Sequence, residues 1–439
     1  MRRPVSAPVY LQVLAWVLLF PLLYFGVRGV FSFDRGQYVN NAGVDLANVA
    51  VSSSDTVLYR VERFGVYGTI LVVMGFSLFG TMQVAKRNLA ILALPALAIV
   101  STLWSQDRIK TLSLGILVSC LTAFSIYLGH RFKGRSLIDL MNMVGGAATL
   151  SSYFLIAFDP GVAIRNVDGS RAWQGLFAHK NYLGSTMVLF LTAAFYTESR
   201  TALTRFLKAS YMVAMVVLVG MSQSRTAWIE LFLLACYILF ERIYTRAGKM
   251  ERVVVWGSVV VTVVAVTIIV VNFGGDIAVA LGKTSDMTGR TGIFEVIWPE
   301  LWKRPLIGFG YQAFWLGLKG ESANIQLTPG HATVANAENG LLQMWLELGA
   351  IGTAAMVFLL LRAFRNARIC LTRKPSKFIR WNCAIVFLSL IGSVSGAKFM
   401  YPDSLEWVLF VLVYVNLAEE IQRLRVQVPE RARLLAWAS

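Results

Sequence analysis

Three short segments gather cations beside glycine and aromatic residues: Arg165 to Asn181 (RNVDGSRAWQGLFAHKN), Ser222 to Trp228 (SQSRTAW) and Gly289 to Phe294 (GRTGIF). Within them Arg171, Lys180, Arg225 and Arg290 have the chemistry that suits an anion, with Arg165, His179 and Asn181 alongside. A guanidinium offers a planar fork that matches phosphate oxygens, and a lysine offers a compact point charge. Lys180 and Arg225 fall at or next to the starts of apolar runs, where backbone N–H groups attract the same ligand. A cationic side chain gains nothing from the helix dipole there, and carrying it toward a bilayer centre is costly. Such a cation can equally be an interfacial anchor, with its stem in the apolar phase and its head among lipid headgroups. Residue types alone leave both roles open.

The elements that must position these groups are membrane spans. The chain of 439 residues is 56% hydrophobic and 15% charged, too apolar for a soluble protein of this size to hide in one core. Runs long enough to cross a bilayer recur near 10–29, 66–85, 88–104, 111–129, 137–158, 182–198, 208–222, 226–241, 253–273, 341–364, 379–398 and 404–419. They predict an all-α polytopic membrane protein with about twelve spans, formed by residues 1–439 as a single integral membrane domain. The net charge of +17 is explained by topology rather than by nucleic acid. In alternate short connectors stand 25 of the 41 Lys and Arg, which marks that side, and both termini, as cytoplasmic. The first apolar run reads as a retained helix, being long and lacking a small-residue cleavage site.

Connectors 30–65, 159–181 and 274–340 then face the periplasm. The longest, 274–340, is expected to carry part of any site, because loops of that length usually carry function. Inside it, Ile293, Phe294, Ile297, Leu301 and Trp302 form one helical stripe, with Glu295, Glu300 and Lys303 elsewhere. That pattern predicts a short amphipathic helix lying at the membrane surface, which Pro299 kinks or restarts. Cys120, Cys236, Cys370 and Cys383 have no paired spacing, and His130, His179 and His331 stand singly. The sequence therefore indicates no disulfide, no metal site and no cofactor. It also contains no Walker-type loop and no dinucleotide fingerprint.

Several of these segments, read in order, resemble the O-antigen ligase and Wzy-type polysaccharide polymerase superfamily. The residues that carry the likeness are LWSQD at 103–107, GLFAHKNYLG at 175–184, SQSRTA at 222–227, GRTGIFEVIW at 289–298, RPLIGFGYQAFW at 304–315 and ENGLLQMWLELGAIG at 338–352. The resemblance implies a GT-C-like fold in the bacterial inner membrane. It implies a metal-independent, inverting transfer of a glycan from an undecaprenyl-diphosphate carrier to a sugar hydroxyl, in a periplasm-facing cavity. Arg171, Lys180, Arg225 and Arg290 would then meet the carrier's diphosphate, and the acceptor would be a glycan or the lipid A-core. The HKN form of residues 179–181 leans the reading toward polymerase, with ligase as the alternative. A transporter or lipid-linked glycan flippase is the rival of another class, and it would carry ionisable residues near the bilayer midplane.

One departure from the family pattern bears on catalysis. Relatives commonly carry His-Asn-Gly where this chain has Glu338-Asn339-Gly340, and that histidine is assigned to the acceptor hydroxyl. A carboxylate can take the same proton as the diphosphate departs, which makes Glu338 the candidate base. It can also be the cap of the span it precedes, favoured by the dipole. In that case His331 is the next candidate, with Asn339 supporting. His179 fits an ordering role in its loop better than direct proton transfer.

Overall fold

In lipid every backbone polar group must be satisfied within its own element, so apolar runs between charged connectors fold as helices. The computed structural model describes residues 8–27, 57–167, 170–248, 250–252, 290–328, 334, 336–396 and 399–437. The sequence-predicted span at 253–273, His331 and residues 274–289 lie outside them.

The described helices vary from one turn to more than thirty residues, and the long ones pack side by side as a bundle. They are α1 (Val9–Gly26), α2 (Val57–Gly75), α3 (Leu78–Arg87), α4 (Ala93–Val100), α5 (Arg108–Arg131), α6 (Arg135–Phe158), α7 (Pro160–Ala163), α8 (Lys180–Tyr196), α9 (Ala202–Met221) and α10 (Arg225–Arg246). After the undescribed stretch come α11 (Arg290–Lys303), α12 (Ser322–Gln326), α13 (Gly340–Arg373), α14 (Lys377–Ser395) and α15 (Leu405–Trp437). Among the described residues six helices are long and apolar enough to cross a membrane, or seven if a bent pair is one span. The chain is thus an integral membrane protein, and the twelve spans expected from sequence are not all present as straight apolar helices.

The clearest correction concerns the run at 66–85. It breaks by 90° between α2 and α3, around Phe76 and Ser77, so α3 leaves the direction of the span. Another is local: the fold is not purely helical, because β1 (Ile164–Val167) and β2 (Ser170–Trp173) pair antiparallel with Arg165 opposite Ala172 and Asn166 opposite Arg171.

The last helix is the hub. Its residues from Trp407 to Val415 are all buried, and it packs on α5, α13 and α14. Polar side chains fasten neighbours where the interior offers no water: Trp407 Nε1 donates to Thr122 Oγ1 at 3.0 Å, Trp381 Nε1 to Thr192 Oγ1 at 3.1 Å and Asn416 to Asn382 at 3.3 Å. At one end Glu241 is fully enclosed and held by Arg380 at 2.9 Å and by the Tyr196 hydroxyl at 2.6 Å.

A second apolar cluster stands apart at the opposite end, made by Ile297, Leu301, Phe309, Phe314, Ile325, Ala337 and Leu346. Here α11 uses only part of the stripe expected of it. Ile297 and Leu301 are buried while Trp302 stays 57% exposed, and Glu300, expected on the wet side, is buried. Lys303 at 2.9 Å compensates the Glu300 charge. The helix runs through Pro299 to Lys303.

Candidate functional site

Two of the three cation-bearing segments, 165–181 and 222–228, meet at the end of the bundle that holds the second cluster. The α8 helix begins at Lys180, with His179 as its cap: Nδ1 accepts from the Asn181 N–H at 3.2 Å. His179 thereby caps the start of α8. The α10 helix begins at Arg225, capped by Ser224. These two starts are pressed together, since a Cβ on Gly184 would lie 2.5 Å from Ala227 Cβ and 2.9 Å from Ser222 Oγ. Gln223, held at φ 50°, donates from Nε2 to the Arg171 carbonyl at 3.3 Å and so ties the hairpin to the same corner.

Arg171 and Arg225 are exposed and Lys180 is half-buried. Arg165 is placed differently. Residues directly opposite across an antiparallel pair share a face, so Arg165, opposite Ala172, projects from the face away from Arg171. The structure brings Arg171, Lys180 and Arg225 to one corner and leaves Arg165 on the other side of the ribbon. Arg290 begins α11, whose packing is on the second cluster.

The other wall is built from motifs that interlock through their backbones. Phe309 N donates to Leu346 O and Gly310 N to Glu347 O, both at 2.9 Å, and Ala350 N returns to Pro305 O at 2.8 Å. This crossing requires glycine. Gly349 interrupts α13 with φ 65° and ψ −167°, and a side chain there would run into the Leu306 carbonyl. Such a φ is costly for any other residue. The segment LWSQD completes the knot: Trp104 Nε1 donates to Ile307 O at 2.9 Å and Gln106 N to Phe309 O at 3.1 Å.

The knot positions Glu338. Gln343 accepts from Trp315 Nε1 and from the Ala337 N–H, each at 3.0 Å, and donates to the buried Glu347 carboxylate. The cap of α13 is Asn339, whose Oδ1 accepts from Leu341 and Leu342 N–H at 2.9 and 3.2 Å. Glu338 is thereby relieved of the capping role that its position allowed. It is half-buried, sits at φ 50°, and its N–H is bound by Asn336 at 2.8 Å. Strained backbone of this kind persists only where its surroundings hold it, and it clusters at functional sites.

The turn at 338–340 abuts the end of α14, a Cβ on Gly340 falling 2.8 Å from Ser393 O. Ser389 and Gly392 of α14 line a crevice that also meets Ser185, Glu230, Phe399 and Glu406. The crevice lies between α8, α10, α14 and α15, and Arg171, Lys180, Arg225 and Glu338 are not among its lining residues. Phe399 forms part of its wall, and the residues that follow are clamped. Arg63 grips Asp403 at 3.0 Å, Tyr67 donates to Pro402 O, and Tyr311 donates to Met400 O. Burial keeps the Tyr311 hydroxyl far above its ordinary pKa, so it remains a donor. This clamp, and the hairpin, escaped the sequence reading. The Asp168-Gly169 dipeptide between short strand-like runs was the available hairpin signal, and Arg63 to Asp403 had none.

Fold and site together define a helical integral membrane protein with a cation-rich corner and a rigid carboxylate turn. Residues 210–357 match the model of the O-antigen ligase family, which supports the resemblance to the O-antigen ligase and Wzy-type superfamily read from the motifs. The matched stretch contains Arg225, Arg290, Glu338 and Asn339 and excludes the hairpin and α8. The chain is also similar to the "Exopolysaccharide production protein ExoQ" of Rhizobium meliloti (strain 1021), at 27% identity over 233 residues, 51% of this chain and 52% of that protein. It spans about half the length of the curated relative it matches.

Proposed function

We propose that the protein is a membrane glycosyltransferase that moves a glycan from an undecaprenyl-diphosphate-linked donor to a sugar hydroxyl at the periplasmic face of the inner membrane, acting as a polysaccharide polymerase. The observation that carries this reading is the junction of α8 and α10, where Lys180, Arg225 and Arg171 meet without a described carboxylate beside them. In the proposed reaction Arg171, Lys180, Arg225 and Arg290 hold the diphosphate, and the isoprenoid tail stays in the bilayer. The acceptor oxygen attacks the anomeric carbon from the face opposite the diphosphate, and its proton passes to Glu338. The bond from that carbon to the diphosphate oxygen breaks, inverting the centre, while the cations stabilise the charge gathering on phosphate. Metal is not required by this scheme, and His331 is the second choice for the base.

The relative's name favours polymer synthesis. The family's name favours joining the glycan to lipid A-core, which is the second reading. On either one the whole chain is one membrane domain, both termini are cytoplasmic, and residues 274–340 form a periplasmic loop that contributes to the site.

The test uses purified protein in liposomes with an undecaprenyl-diphosphate-linked repeat unit and a chelator present. Lengthened glycan and released undecaprenyl diphosphate are expected. Donor that crosses the bilayer without any new glycosidic bond would show a flippase instead.

A further inference from the structure

The end of the bundle away from the candidate site holds a cleft that the transfer reaction does not use. Its volume is about 470 Å³, and its walls include Arg87 of α3, His130 at the end of α5, Lys133, and Glu419 and Arg423 of α15. A single water occupies about 30 Å³, so the space suits a larger guest. Glu419 is taken by Lys133 at 2.7 Å. Arg423 reaches Glu420 only at 3.7 Å, and that carboxylate already has Lys374 at 2.8 Å. Arg87, Lys133 and Arg423 thus outnumber the one carboxylate in the walls, and the guest that fits is an anion.

The kind of anion follows from α3. After the 90° break this helix exposes Leu78, Phe79 and Met82 and ends on Lys86 and Arg87. An exposed apolar face closed by cations is the pattern of a helix lying in the headgroup region. Its inner side is fixed to α5, because a Cβ on Gly80 would lie 2.5 Å from His130 Nε2. The cleft therefore opens at headgroup depth beside an apolar surface that acyl chains would cover. We propose that it binds the phosphate headgroup of an anionic membrane lipid, with Arg87, Lys133 and Arg423 on the phosphate and α3 against the chains. A soluble phosphate would engage the charges and leave the apolar face of α3 bare.

The proposal does not rest on the transferase reading and is tested apart from it. The full chain is placed in nanodiscs of zwitterionic lipid. Phosphatidylglycerol is added in one series and inorganic phosphate in another, and bound lipid is read by native mass spectrometry alongside thermal unfolding. Arg87→Gln with Arg423→Gln should weaken phosphatidylglycerol binding about 30-fold, roughly fivefold per cation. Arg87→Lys with Arg423→Lys should keep most of it. Arg246→Gln with Arg368→Gln, which removes exposed charges elsewhere on the surface, should bind as wild type does. Equal binding by all four proteins overturns the proposal. Stabilisation by inorganic phosphate equal to that by the lipid also overturns it, and would assign the cleft to a soluble ligand.

Discussion

At one end of the bundle buried or half-buried carboxylates sit against bases: Glu241 with Arg380 at 2.9 Å, Glu419 with Lys133 at 2.7 Å and Glu420 with Lys374 at 2.8 Å. At the other end Arg171, Lys180 and Arg225 have no described carboxylate within ion-pair distance, although they crowd two helix starts and a hairpin. Charge that is matched inside the fold holds helices together. Charge at helix N-termini, where the dipole already repels it and no described carboxylate answers it, favours a ligand that brings its own negative charge. On this comparison the first set of residues should govern stability and the second should govern activity.

The largest effect that sharpens the division is expected at the rigid turn. Glu338→Gln should lower the transfer rate by about 10²- to 10⁴-fold, the usual loss for a general base, with little change in unfolding because Asn339 makes the cap. Glu338→His should recover part of that rate, since imidazole supplies a base of suitable strength. Equal rates for wild type and Gln would reject Glu338 and turn attention to His331.

At the paired end the division predicts the reverse. Arg380→Ala leaves Glu241, which is 1% exposed, with the Tyr196 hydroxyl alone, and should cost about 3 kcal/mol of stability. Donor affinity in the surviving folded protein should be unchanged. An unaltered melting temperature would break the comparison from this side.

Smaller effects test the scaffold between the two sets. Asn339→Ala removes a cap that serves two N–H groups and should lose about 1 kcal/mol, read by thermal unfolding in lipid nanodiscs. Lys303 is the mildest case. Hydrogen bonds to Glu321 and Glu300 raise its pKa above the ordinary lysine value, so the stability it adds is complete below that ordinary value. It is lost as pH climbs through the raised one. Because Lys303 is 42% exposed, Lys303→Met should change stability by less than about 1 kcal/mol, and the difference from wild type should vanish in strong alkali.

The helices, and the placement of Lys180 and Arg225 at helix starts, were legible in sequence because their signals are local. Apolar length marks the spans, and Lys180 and Arg225 stand where apolar runs begin. What escaped depends on contacts distant in the chain. The bend at Phe76 and Ser77 has only nearby glycines to announce it, and the burial of Glu300 follows from Lys303 and the cluster around Phe309. The role of Gly349 appears only once residues 304–310 lie across α13. Glu338 could be read as base or cap from sequence, and that Asn339 makes the side-chain cap of α13 shows only in the two N–H groups it binds.

The claim that the cations at these helix starts serve the donor is tested most directly by donor affinity. Binding of an undecaprenyl-diphosphate-linked glycan to the reconstituted protein is measured for wild type, Arg225→Lys, Arg290→Lys and Lys180→Gln, together with unfolding temperature. All three variants are expected to bind the donor at least tenfold more weakly, the two lysine variants because they keep charge but lose the planar fork, while melting as wild type does. Wild-type affinity in all three variants would contradict it and leave these cations as anchors at the membrane surface.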